Sequence, residues 1–191
     1  MSAFEFFFGF YGLILGLSVV EVITGFSRIL KRRQRIRVGY LIPLLALVVL
    51  LDLTSFWSMS WVRYQTIDIT LQLLVVGMAI AGAYYLAASM VFPDDFDAWP
   101  SLDDYYDKHK AWVIGGIWSA KTASHTILLV VAGKTDAFKA FWTNPALLVL
   151  IAPLFALMLA VCLVKNRRAN GIMLLAILAT YVALMFSVAP R

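Results

Sequence analysis

Residues Val38 to Val62 read VGYLIPLLALVVLLDLTSFWSMSWV and carry a single charge, Asp52. As an α-helix this stretch rises about 37 Å, which exceeds the ~30 Å hydrocarbon core of a bilayer. It has neither the polar face of a soluble amphipathic helix nor the strict alternation of a barrel strand. It therefore reads as a membrane-spanning helix with one acid at depth.

The rest of the chain repeats the pattern. Spans are expected at about 6–29, 38–62, 67–92, 111–132, 145–164 and 171–188. The expected fold class is all-α: a polytopic membrane protein, residues 1–191 forming one six-helix transmembrane bundle. Composition agrees, at 62% hydrophobic and 14% charged, against about 45–50% and about 25% in soluble domains. The one cysteine, Cys162, rules out an internal disulfide and a Cys-based zinc site. The N-terminal stretch has Glu5 but no Lys or Arg, unlike a cleavable signal, so the first helix is expected to stay.

Loop charges set the expected orientation. The first loop holds Arg28, Lys31, Arg32, Arg33, Arg35 and Arg37; the third holds Lys108 and Lys110; the fifth holds Lys165, Arg167 and Arg168. The other side has Arg63, Lys134, Lys139 and Arg191. The positive-inside rule places the basic loops in the cytoplasm and both termini outside, in a plasma membrane of the bacterial inner-membrane kind. Trp57, Trp61, Tyr64 and Trp142 would then belt the outer interface, and Tyr40, Trp99 and Trp112 the inner one. Expected partners are the bilayer, anionic lipids at the Arg28–Arg37 loop, and a second copy or a membrane complex. Basic residues confined to short loops do not suggest nucleic-acid binding.

The acidic cytoplasmic loop 93–110 contains Asp94, Asp95, Asp97, Asp103, Asp104 and Asp107. It lacks the ligand spacing and central glycine of an EF-hand. Ser101 is placed to cap a helix from Leu102, with Asp104 as its acidic third residue. That helix is expected to run on into the fourth span, and its acids to meet the basic first loop.

A faint three-plus-three inverted repeat can be drawn by shifting the chain on itself. At a shift of 100, Ile14 and Gly16 meet Ile114 and Gly116, and Glu21 falls on Lys121. Paired inverted halves are a transporter layout.

Four ionisable residues fall inside spans: Glu21, Asp52, Lys121 and His125. A charge at bilayer depth costs roughly 2.5–3.5 kcal/mol on insertion scales, so such residues pair, line a polar cavity or carry ions. Counting helical rise places Glu21 level with Lys121, and Asp52 level with His125. Ser55, Gln72, Tyr84 and Ser124 are supporting polar candidates. Histidine titrates near neutrality and is the natural switch. The leading expectation is a small transporter or channel, proton-linked through these residues. Its rival is a non-catalytic subunit or assembly protein in which the charges only join helices. An intramembrane enzyme is a third reading.

Other chemistries fit less well. His109 and His125 are sixteen residues apart on one helical stretch, about 24 Å, and cannot ligate one haem from both faces. A chromophore on Lys121 and a serine hydrolase at Ser119 or Ser124 lack supporting signatures. No cofactor is expected, and Lys121 would repel a metal ion from His125, Asp52 and Glu21. The fifth and sixth spans look like scaffold.

Overall fold

The computed structural model describes residues 2–65, 68–132, 143 and 145–187. Trp142, Lys134, Lys139 and Arg191 lie outside the described residues. The described residues form six helices and no strand: α1 (Ala3–Arg32), α2 (Leu41–Tyr64), α3 (Leu71–Ser89), α4 (Leu102–Ala132), α5 (Pro145–Leu163) and α6 (Arg167–Ser187). Four of them, α1, α2, α3 and α6, are long and apolar enough to cross a membrane. This is an all-helical membrane protein.

Local chemistry fixes the helix starts. Ser2 and Glu5 close a capping box on α1, each side chain bonding the other's backbone N–H. Thr70 accepts the Leu73 N–H at the start of α3. Ser101 accepts the Asp104 N–H at 3.2 Å and donates to its carboxylate at 2.6 Å, and α4 starts at Leu102 as the sequence suggests. That helix is continuous for 31 residues, joining the acidic interface to the bundle interior.

Tyr40 supplies no side-chain cap to α2. Asp103, from the start of α4, accepts the Leu41 N–H at 3.2 Å instead. The close approach requires Gly39, at φ +63°, because a Cβ there would lie 2.3 Å from the Asp103 carboxyl. Leu102 N–H donates to Arg37 C=O nearby.

The helices pack in a closed ring: α1 against α2, α2 against α6, α6 against α5, α5 against α4, α4 against α3, and α3 against α1. Contacts between α2 and α4 cross the ring. The order differs between halves, because α1 packs strongly on α3 whereas the main neighbours of α4 are α3 and α5. Among the described residues only the α1–α2 and α4–α5 pairings correspond closely across the two halves, which supports the faint inverted repeat weakly.

Small residues permit the closest packing. A Cβ at Gly25 would collide with the Phe92 ring at 2.0 Å. The interior is lined by Tyr11, Leu45, Leu53, Ile80, Tyr84, Met158 and Ile177, all nearly inaccessible. Leu13, Leu17, Val62, Leu86 and Leu175 point outward and are exposed. An exposed apolar surface this extensive suits lipid rather than water.

Candidate functional site

The ring closes around Asp52. Its side chain has no exposure, and it receives donors from three other helices. Lys121 Nζ of α4 lies 2.5 Å from Oδ1. Tyr181 of α6 donates its hydroxyl to the same oxygen. Tyr84 of α3 donates to Oδ2 at 3.0 Å. Lys121 also donates to the Tyr181 hydroxyl oxygen at 2.8 Å, so the three groups around Oδ1 form a closed triangle. The Lys121 ammonium lies 5.2 Å from the Tyr181 ring centroid.

Each contact answers a physical demand. An ionised carboxylate taken out of water needs a counter-charge and donors for its lone pairs. A buried tyrosine hydroxyl needs a partner too. The quartet satisfies these demands together, with one charge of each sign.

The pairing differs from the level count. Lys121 pairs with Asp52, not Glu21. Glu21 pairs weakly with Arg28 two turns along its own helix, at 3.4 Å, with each side chain about one-third exposed. The described partners of Asp52 are Lys121, Tyr84 and Tyr181, and the Nδ1 of His125 lies 2.7 Å from the Lys121 carbonyl, one turn back. The count takes the second and fourth spans to start level, at Val38 and Ala111. In the fold Asp103 caps α2 at Leu41, so Lys121 stands eighteen residues past that shared level and Asp52 eleven. Helical side chains lean toward the helix N-terminus, and that lean carries the long lysine back toward Asp52.

His125 stands beside the quartet. It lines a crevice of about 60 Å³ with Ser55, Lys121, Phe155 and Tyr181. Its ring meets Phe155 edge to face at 6.1 Å. On its other side is a groove of about 400 Å³ between α4 and α5, walled by Trp118, Thr122, Thr126 and Phe155. Of the supporting candidates, Tyr84 belongs to the quartet and Ser55 to the crevice. Ser124 is buried on α4 beside His125. Gln72 is exposed in the first turn of α3, twelve residues from Tyr84, and does not join them.

Tyr181 escaped the sequence reading, which treated the sixth span as scaffold. Its available signal was a hydroxyl in the middle of an apolar helix. A second buried network was missed as well. Lys110 donates to the Val164 carbonyl at the end of α5 and to Asn170 Oδ1 at 3.1 Å. Tyr106 donates to that same oxygen at 3.0 Å, while Asn170 Nδ2 returns a bond to Val164 C=O at 2.8 Å. Asn170 thus seals the α5–α6 junction.

At the interface, Arg167 clasps Asp104 at 2.5 Å and Asp107 at 2.7 Å. The Ser101 hydroxyl and Arg167 hold the Asp104 carboxyl below its ordinary pKa. The expected contact between the acidic loop and the first basic loop is present as Arg32–Asp97 at 3.7 Å. Arg28 and Arg32 also sit over the buried Phe96 ring, at 6.0 and 5.7 Å.

No family model, curated protein or solved structure matches this chain.

Proposed function

We propose that this protein is a six-span membrane component of the non-catalytic kind, a subunit or assembly partner, in which the Asp52 quartet clamps helices rather than moving a cargo. One observation carries this reading. Asp52 is wholly buried and its oxygens are engaged by Lys121, Tyr84 and Tyr181 from three different helices. A carboxylate held this way is neutralised in place, with no need of a passing ion. On this reading α4 and α5 are the two further spans. The basic loops face the cytoplasm, both termini lie outside, and the membrane is a plasma membrane. The exposed bases Lys31, Arg33, Arg35 and Arg37 then meet anionic lipid.

A second reading, proton-linked transport, is favoured by the crevice that brings His125 and Ser55 beside Lys121 and Tyr181. Proton flux into dye-loaded liposomes separates the two. The clamp predicts no flux above protein-free liposomes for wild type, together with a large loss of thermal stability in Asp52→Asn. Wild-type flux that Asp52→Asn abolishes while helical circular dichroism is retained would replace the clamp with the transport reading.

A further inference from the structure

Helix α3 has 19 residues, whereas its neighbours α1 and α4 have 30 and 31. Its early end at Ser89 leaves a notch on the basic-loop side of the bundle. The segment after it runs beside this notch and borders an open cavity of about 600 Å³. Tyr105 holds this segment by donating its hydroxyl to the carbonyls of Met90 and Phe92, at 2.9 and 3.3 Å. Burial and the nearby Asp94 push that phenol up to about 12.

The cavity has two kinds of wall. Glu21, Asp94 and Asp95 supply carboxylates from α1 and the loop. Trp99, Tyr105 and His109 supply aromatic faces: the Tyr105 and His109 rings stack at 3.9 Å, and Trp99 stands edge-on to both. Arg28 occupies only Oε1 of Glu21, at 3.4 Å. The cavity runs from Tyr85 and Glu21, inside apolar helices, to Asp94 and Asp95 in the exposed loop. On the six-span reading it therefore crosses from the lipid-facing surface to the aqueous one.

We infer that this cavity is a binding site for an organic ammonium group, of the kind carried by an amine phospholipid headgroup. The carboxylates supply charge and the aromatic rings supply cation–π faces. A metal ion fits less well. Among the described residues no three His, Cys, Asp or Glu side chains converge to hold one, whereas hard cations demand several converging oxygens. The aromatic lining suits an organic cation rather than a metal ion.

The test uses the full chain in mixed micelles holding equal amounts of phosphatidylethanolamine and its N-acetylated counterpart, which keeps the phosphate charge and lacks the ammonium. Native mass spectrometry counts the lipid retained. Wild type is expected to prefer the amine lipid by about threefold, the scale of an exposed cation–π contact. The preference is expected to vanish in Glu21→Gln and in the loop variant Asp94→Asn, which removes an exposed carboxylate and spares the helices. Asp97→Asn, outside the cavity lining, is expected to keep it. A second arm adds soluble ethanolamine: displacement of the lipid identifies the ammonium group itself as the ligand, and persistence of the lipid identifies the whole headgroup at the membrane surface. Equal retention of both lipids by wild type, or a preference unchanged in Asp94→Asn, would overturn the site.

Discussion

Asp52–Lys121 in the bundle and Asp104–Arg167 at its edge are both drawn to 2.5 Å, yet they belong to different physical regimes. The inner pair has almost no exposure, while the outer pair is about two-fifths exposed. Water and salt compete with the outer pair and screen it. Nothing competes with the inner one, so its attraction is large and the loss of either partner leaves an uncompensated charge. Short distance alone does not rank the two; their surroundings do.

The comparison breaks most sharply at Lys121. Lys121→Met is expected to cost about 3–5 kcal/mol of stability, the range for removing one partner of a buried pair. Pairing it with Asp52→Leu is expected to restore most of that loss, because no orphan charge remains. Thermal unfolding in a fixed detergent, run as a double-mutant cycle, reads both. If the double variant is as damaged as the single one, the charge-compensation account fails.

A smaller effect is expected from the hydroxyls. Tyr181→Phe removes a donor to Asp52 and an acceptor for Lys121, and Tyr84→Phe removes only a donor. Both are expected to fall near about 1.5–3 kcal/mol, the scale of a hydrogen bond to a charged group, with Tyr181→Phe the worse. The same unfolding assay ranks them, and the reverse order would show that Oδ2 rather than Oδ1 carries the stabilisation.

The outer clasp is expected to matter least. Arg167→Ala should lower the melting temperature less than any variant above, and added salt should shrink the difference further. Its pH dependence has a definite sign. The folded Asp104 carboxyl titrates below its ordinary value. Its contribution is therefore present above the unfolded carboxylate pKa of about 4 and is lost as pH falls through the lowered folded value. Acid titration of wild type against Asp104→Asn should show the gap between them closing below about pH 4.

Much of this architecture can be read from residue order. Apolar runs locate the helices, and Ser101 with Asp104 marks the start of α4. The membrane-depth ionisable residues Asp52 and Lys121 lead to the quartet. Their partnership is another matter. It depends on how side chains lean and how helices are offset, which residue counting along separate spans does not register. Tyr181 was overlooked because an aromatic ring counts as apolar while its hydroxyl acts as a donor. Asn170 and Lys110 sit at a helix junction, where their role depends on the Val164 carbonyl they meet.

The quartet also bears on the order in which the chain is made. Asp52 leaves the ribosome long before its partners, and Tyr181 follows it by 129 residues. On the six-span reading, α2 enters the bilayer while its carboxylate still lacks Lys121 and Tyr181. A nascent chain stalled before α6 therefore holds an incomplete clamp. The network thereby links the chemistry of one buried carboxyl to the completion of synthesis.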